Sequence, residues 1–309
     1  MARRRRWYSR DVRPWLIVVA FAVGCAGRYQ APAPPAQTTA PAVDLPFAIV
    51  DGHTGRAVAT DAFWTALGAA RAVCAGEEHP DPHHHAAQRQ IVERLAAQPG
   101  RRALGLEMVQ LPFQGVLDDL AGGVIDEDAF QSRTGWDTRW GYPWTLYQPI
   151  VAAARAARWD LRALNARAEL VKRVGKVGVA GLDTTERAEL PELVLDDARH
   201  RAWFDGLMAA MGGHGGAHMP SPDNLYAAQV VWDETMAATA ADWLTGGGAI
   251  VILAGNGHCH DGAIVGRLRR RGVDAVVSVR PIVDDGAGNV AAALAEGSVD
   301  YLWVMPPPP

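Results

Sequence analysis

The sequence holds no apolar run of the roughly 20 residues that a membrane-spanning helix needs. The N-terminal run from Trp15 to Val23 is too short for that task. Nor is there an excess of one charge. The formal net charge is −4, and the single basic cluster, Arg3 to Arg6, is N-terminal. That excludes an electrostatic footprint for nucleic acid. No internal repeat of solenoid period is found, which excludes stacked-repeat architectures. Cysteine is scarce, with three in 309 residues. What remains is a chain that is 49% hydrophobic. That is enough for one sizeable α/β domain, or for one domain and an insert.

The basic cluster followed by the short apolar run fits a secretory signal. The run ends Ala22-Val23-Gly24-Cys25. Small residues before a cysteine resemble a bacterial lipoprotein cleavage and acylation site, with Ala22 where leucine is usual. Residues 1–25 are therefore expected to be a signal peptide with Cys25 lipidated, so that the protein is anchored rather than spanning. An ordinary signal with an incidental cysteine is the alternative. Residues 26–46 are rich in Ala, Pro, Gln and Thr, which predicts a flexible tether. Two readings stay open for Cys74 and Cys259: a pair formed in an oxidising compartment, or two small buried residues.

Residues 47–305 read as the folded domain, and 306–309 as a tail. Residues 47–59 have the pattern of a hairpin, and Thr60 starts a helix. Short apolar runs at 72–76, 103–108, 160–165, 249–254 and 274–279 read as strands, with 301–305 as a last one. Helical stretches alternate with them, which predicts a mainly parallel central sheet flanked by helices. Between residues 166 and 221 the strand signal disappears, so this stretch is expected to be a helical insert or cap. Residues 223–244 read as one long helix.

The chemistry gathers at the ends of those strands. Residues 72–95, AVCAGEEHPDPHHHAAQRQIVERL, have the form of strand, tight loop and helix. They carry four of the ten histidines within seven positions. Asp81 is the expected N-cap, and Pro82 suits the first helical position. Helical phasing puts Leu95, Val92, Ile91, Gln88, His85 and His84 on the inward face. His83 is left to solvent and His84 at the margin. Glu107 ends the second strand and His258 follows the 249–254 strand. Ligands of open α/β sheets sit at this carboxyl edge. Glu77, His79, Glu107 and His258 are thus candidate ligands for a divalent metal (Mn, Zn or Fe), with Glu107 as catalytic base if the protein is a hydrolase. Capping of helices and loop amides is the plain alternative. His214 and His218 read as solvated loop residues. Tyr142 and Tyr147 lie in the aromatic segment 136–147, where an exposed phenol could ligate haem iron or simply pack. Gln229 and Asp233, one helical turn apart, could orient a histidine or face solvent.

In order, GEEHPDPHHHAAQ, LGLEM, the W…Y-x-P segment ending in ALN, AQVVWDETMA and AGNGH resemble the ChaN-like haem-binding lipoproteins of the wider Tiki, TraB and erythromycin-esterase superfamily. The resemblance runs from about Phe47 to Val279. It implies an α/β core with a helical subdomain, haem as ligand, and a role in haem or iron acquisition at a bacterial envelope. Tyrosine coordination and a homodimer are implied with it. On that basis Tyr147, His85, Gln88 and Tyr142 are the candidate haem-binding residues. The superfamily's metallohydrolases carry Gly-x-x-His, matched by Gly76 to His79, with an acidic residue and a late histidine that Glu107 and His258 fit. Trp232 stands before Asp233 where arginine is common, so the salt bridge expected there is absent. Two functions follow: a lipid-anchored haem- or iron-binding protein, and a metal-dependent hydrolase. A purely structural envelope protein would leave the three strand ends unexplained.

Overall fold

A computed structural model describes residues 46–210 and 220–307. The expected signal, the lipidation residue Cys25, most of the tether, and His214 and His218 lie outside the described residues. The chain begins with β1 (Ala48–Asp51), β2 (Ala57–Val58), α1 (Thr60–Ala69), β3 (Ala72–Glu77), α2 (Pro82–Ala96) and β4 (Arg102–Gln110). It continues through α3 (Gln114–Ala121), α4 (Glu127–Thr134), α5 (Trp136–Arg139), α6 (Trp144–Ala156) and β5 (Asp160–Asn165). A run without strands follows: α7 (Ala168–Val177), α8 (Thr184–Ala188), α9 (Ala198–Ala210) and α10 (Pro222–Thr245). The last elements are β6 (Ala249–Gly255), α11 (Ile264–Arg270), β7 (Val276–Val283), α12 (Asn289–Glu296) and β8 (Tyr301–Met305).

The strands form one sheet in the order β2-β1-β8-β7-β3-β6-β4-β5. From β8 to β5 every neighbour is parallel, and the β1–β2 hairpin closes the β8 edge antiparallel. Successive strand residues point to opposite faces, and the core divides accordingly. Val73, Ala75, Val251 and Leu253 join the cluster under α2 and α6. Cys74, Ile250, Ile252 and Ala254 join the one under α10 and α11. β3, buried along its whole length between two parallel neighbours, is apolar up to its final Glu77, as burial on both faces demands.

Helix α10 is the spine of the other half. Its C-terminal part, from Met236 to Leu244, packs on the sheet. Its N-terminal part packs against α7 through Ala227, Ala228 and Val231, and against Phe204 of α9 through Leu225, Tyr226 and Val230. A helix buried on most sides cannot show one apolar stripe, and here both sets of partners use it. Among the described residues no helix is long and apolar enough to cross a membrane.

Three expectations shift. β4 runs past Glu107 to Gln110, with a register irregularity against β5 between Leu106 and Gln110. Glu107 is therefore inside the strand rather than its end. β7 starts at Val276 and continues to Val283 through Pro281. Helix α12, short and rich in alanine, has no counterpart in the sequence reading.

Candidate functional site

The β3 end is built as its sequence suggests. Asp81 caps α2 by accepting from the His83 backbone N–H at 2.8 Å, and Pro82 takes the first turn. His83 stays at the rim, bonded to Asp81. His84 is a correction: it is buried, its Nδ1 accepting from the Glu78 backbone N–H at 2.8 Å. Burial pushes its imidazole down to about 4. It is a neutral brace for the loop rather than a marginal residue.

Glu77 lies beneath the loop, 1% exposed. Its Oε1 accepts from His79 Nδ1 and from the Tyr147 hydroxyl, each at 2.7 Å. Its Oε2 accepts from Gln88 Nε2 at 2.9 Å, and His85 Nδ1 is 3.5 Å away. Burial alone would raise this carboxyl. The charge of His85 and the bonds from His79 and Tyr147 outweigh it and hold the group at about 2. His85 Nε2 donates to the His79 carbonyl at 2.9 Å. Gln88 is pinned by the Ala75 and Gly76 carbonyls. Glu77 is therefore buried with both oxygens engaged. It supports His79 instead of sharing an ion with it.

Tyr147 is corrected likewise. It is fully buried, its hydroxyl is committed to Glu77, and burial beside that carboxylate pushes the phenol well above its ordinary value. A phenolate ligand must reach the ligand, and this one cannot. His85 and Gln88 lie equally deep. Of the four expected haem-binding residues only Tyr142 is at the opening, half-buried, 4.9 Å from the His79 ring. Burial and the nearby Glu77 and Glu107 raise its phenol too. Trp140 packs on His79 at 4.7 Å, with its own ring 5.6 Å from that of Tyr142.

The β6 end supplies the second half. Gly255 donates its N–H to Glu107 Oε2 at 2.6 Å, and Asn256 donates its N–H to the Glu77 carbonyl. His258 Nδ1 donates to Asp233 Oδ1 at 2.6 Å, and its Nε2 faces Glu107 Oε1 at 3.4 Å. Burial disfavours the imidazolium, but two carboxylates around it raise its pKa to about 9. Asp233 and Gln229 are thus buried partners of a histidine and do not face solvent. Asp233 sits on α10 between the part that packs on the sheet and the part that carries the cap.

Residues the sequence reading passed over complete this network. His200 of α9 reaches Asp233 Oδ2 at 3.4 Å, and Arg267 of α11 lies 3.8 Å from the same oxygen. Arg267 also pairs with buried Glu234. The expected loss of a salt bridge at Trp232 is thereby corrected, because α11 supplies the cation from another element. His260 is buried with its Nε2 unpaired, and burial lowers it to about 3. Trp203 lies over His200 and His260. No local pattern marks these residues, since their partners are distant in sequence. The cysteines resolve in favour of pairing: Cys74 and Cys259 form a disulfide whose Cα atoms are 5.4 Å apart. It ties the residue after His258 to the middle of β3.

The strand ends therefore converge as expected, but not as a metal cage. Among the described residues no group of three or more His, Cys, Asp or Glu side chains is arranged to hold a metal ion. Glu77 is saturated, Glu107 is divided between Gly255 and His258, and both His258 nitrogens face carboxylates. Of the imidazole nitrogens of His79 and His258, only His79 Nε2 faces no acceptor, and its ring is raised above its ordinary pKa by Glu77 and Glu107 against the effect of burial. The His79 ring packs against the backbone at Gly255, which has to be glycine: a Cβ there would lie 2.9 Å from His79 Cε1 and 3.2 Å from Nε2.

Fold and site together define an α/β protein with a carboxylate-oriented histidine at the carboxyl edge of its sheet, walled by aromatic rings and roofed by helices. The chain belongs to the ChaN family of the Tiki superfamily, described as haem-binding uptake, whose family model matches residues 63–268. Among solved structures it is similar to one describing cofacial heme binding to ChaN of Campylobacter jejuni. That match has a TM-score of 0.67 and 17% identity over 84% of this chain and 97% of that chain. An erythromycin esterase mutant in an open conformation gives a TM-score of 0.44 and 11% identity over 84% and 83%. A search of the curated proteins found no match.

Proposed function

We propose that the protein binds haem at the cleft between Trp140, Tyr142 and the Gly255 loop, and that it serves haem or iron uptake at a bacterial envelope. One observation carries this reading: a partly exposed histidine, oriented by a buried carboxylate, lies against the aromatic rings of Trp140 and Tyr142 at the carboxyl edge of the sheet. A flat apolar macrocycle with a Lewis-acidic centre has the chemistry to use both. Ordinary ligand pockets combine apolar walls with a few placed polar groups in this way. The family description supports the same ligand. When bound, haem would bring iron that takes an axial ligand, and His79 and Tyr142 are the two side chains at the opening with suitable atoms.

The envelope setting rests on the Arg3 to Arg6 cluster, the short apolar run and Cys25. The Cys74–Cys259 disulfide agrees with an oxidising compartment. Lipid on Cys25 would hold the protein at the membrane, and a homodimer belongs to the same reading. Titrating haemin into protein lacking residues 1–25 should shift the Soret band with saturation. Absence of any spectral change at micromolar haemin would end this reading.

Hydrolysis is the second reading, favoured by the opposition of His79 to the Glu107–His258–Asp233 set. A base oriented by a carboxylate and a neighbouring imidazolium are the parts of general acid–base catalysis. Among the described residues the donor arrangement does not fit a divalent ion held by Glu77, His79, Glu107 and His258. Turnover of ester, amide or phosphoester substrates that is abolished in Glu107→Gln would favour this reading. No turnover across such a panel would remove it.

A further inference from the structure

We propose that α9 is a lid on the loop that carries His258, latched by His200 and Trp203 and anchored separately through the 190–197 linker, so that docking of the helix is coupled to the Asp233–His258 pair.

The attachment of α9 is slight. It buries only His200 and Phe204 of its thirteen residues, and an element with few buried contacts opens well below the global unfolding cost. Phe204 packs on Tyr226 of α10. The remaining contacts converge on one loop and one carboxylate. Trp203 stacks on His200 with ring centroids 5.4 Å apart, covers His260 at 4.3 Å and lies against Gly257. His200 Nδ1 accepts from Arg267 at 3.3 Å, with the Tyr226 hydroxyl beside it at 3.2 Å. That leaves the imidazole proton on Nε2, 3.4 Å from Asp233 Oδ2. The other oxygen of the same carboxylate holds His258. The helix and the site histidine therefore share one buried anion.

The latch is made to part. Nε2 of His200 and Nε2 of His260 are buried with no hydrogen-bond partner among the described residues. A buried donor without an aligned acceptor disfavours the docked state, and water satisfies it on opening. The anchor lies elsewhere. The Val194 backbone N–H donates to Glu234 at 3.3 Å, and Arg271 donates to the Glu192 carbonyl at 3.2 Å. Glu234 is held in turn by Arg267 and Arg270 of α11. Leu195 and Asp196, between anchor and latch, are exposed. The helix can lift about these two residues while the linker stays in place, which uncovers the loop of His258 whichever ligand the site takes.

Native-state hydrogen exchange on the protein with its disulfide intact tests the lid. In the wild type, α9 amides should exchange through a local opening nearly independent of denaturant, and α10 amides from Val230 to Ala240 through global unfolding. His200→Ala should speed exchange in α9 at least about 10-fold. His258→Gln, whose partners lie on other elements, should speed it too, and the two effects should not add, because both act through Asp233. Exchange of α9 only through global unfolding overturns the lid. Unchanged α9 exchange in His258→Gln, or additive effects in the double variant, overturns the coupling. Should His200→Ala fail to fold by circular dichroism, Trp203→Ala, at a half-exposed position, takes its place under the same predictions.

Discussion

His258 carries a proton that the fold stabilises, and the consequence is measurable. Its pKa is raised from 6.5 to about 9 by Glu107 and Asp233 against the opposing effect of burial. Stability from this group is therefore complete below pH 6.5 and lost as pH rises through 9. A shift of that size corresponds to about 3 kcal/mol at most. The acid side behaves oppositely. His84 and His260 are held neutral by burial, at about 4 and about 3. Glu77 is held ionised, at about 2 against its ordinary 4.5. The histidine terms are present above pH 6.5, the Glu77 term above 4.5, and each is lost as pH falls through the folded value. Thermal melts should be highest near pH 6.5, and His258→Gln should flatten the alkaline arm alone. An unchanged alkaline arm in that variant would contradict the assignment. Tyr147→Phe removes one of the bonds to buried Glu77 and should lower stability by about 1–3 kcal/mol, read by chemical denaturation. At this scale the sequence told most where neighbours are local. The inward phase of His85 and Gln88 follows from helical spacing, and the Asp81 cap from its place before Pro82. It misjudged Tyr147, because whether a phenol faces a cleft or a buried carboxylate depends on residue 77, seventy positions away.

Between elements, two joints decide whether the site holds its shape. The first is the β6 end, where Gly255 is the last strand residue. Gly255→Ala would put a Cβ 2.9 Å from the His79 ring, forcing that ring to move. Haemin binding should be at least about 10-fold weaker in this variant, with folding retained by circular dichroism. Unchanged affinity would mean that binding does not depend on the placement of the His79 ring. The second joint is the disulfide. It links β3 to the loop of His258 across 185 positions. Loop-closure arguments give a stabilisation of about 4–5 kcal/mol for long loops, so reductant should lower the melting temperature clearly. Cys74→Ala with Cys259→Ala should do the same and become insensitive to reductant. The pairing could not be derived from spacing alone, since a buried strand cysteine and a buried loop cysteine have the same local pattern whether bonded or free. Helix α10 shows a similar limit. Its length was legible, but the burial of Asp233 was not, because it results from α9 and α11 packing on opposite ends.

For the whole molecule, the order of strands and helices was readable because alternation of apolar runs with amphipathic stretches dictates a parallel sheet. Its edges were less so. The 47–59 hairpin was legible, but nothing in the sequence pattern places it antiparallel on β8, or marks α12. The convergence of three strand ends was anticipated from the rule that sites lie at the carboxyl edge. Their division of labour was not, since it required knowing which lone pairs were already taken. Haemin titration of the chain lacking residues 1–25, followed at the Soret band in wild-type protein and in His79→Ala, tests the central claim most directly. Saturable binding with a shifted band in the wild type, weakened in the variant, is the predicted result. A wild-type protein whose spectrum is the sum of its parts at every haemin concentration would contradict it.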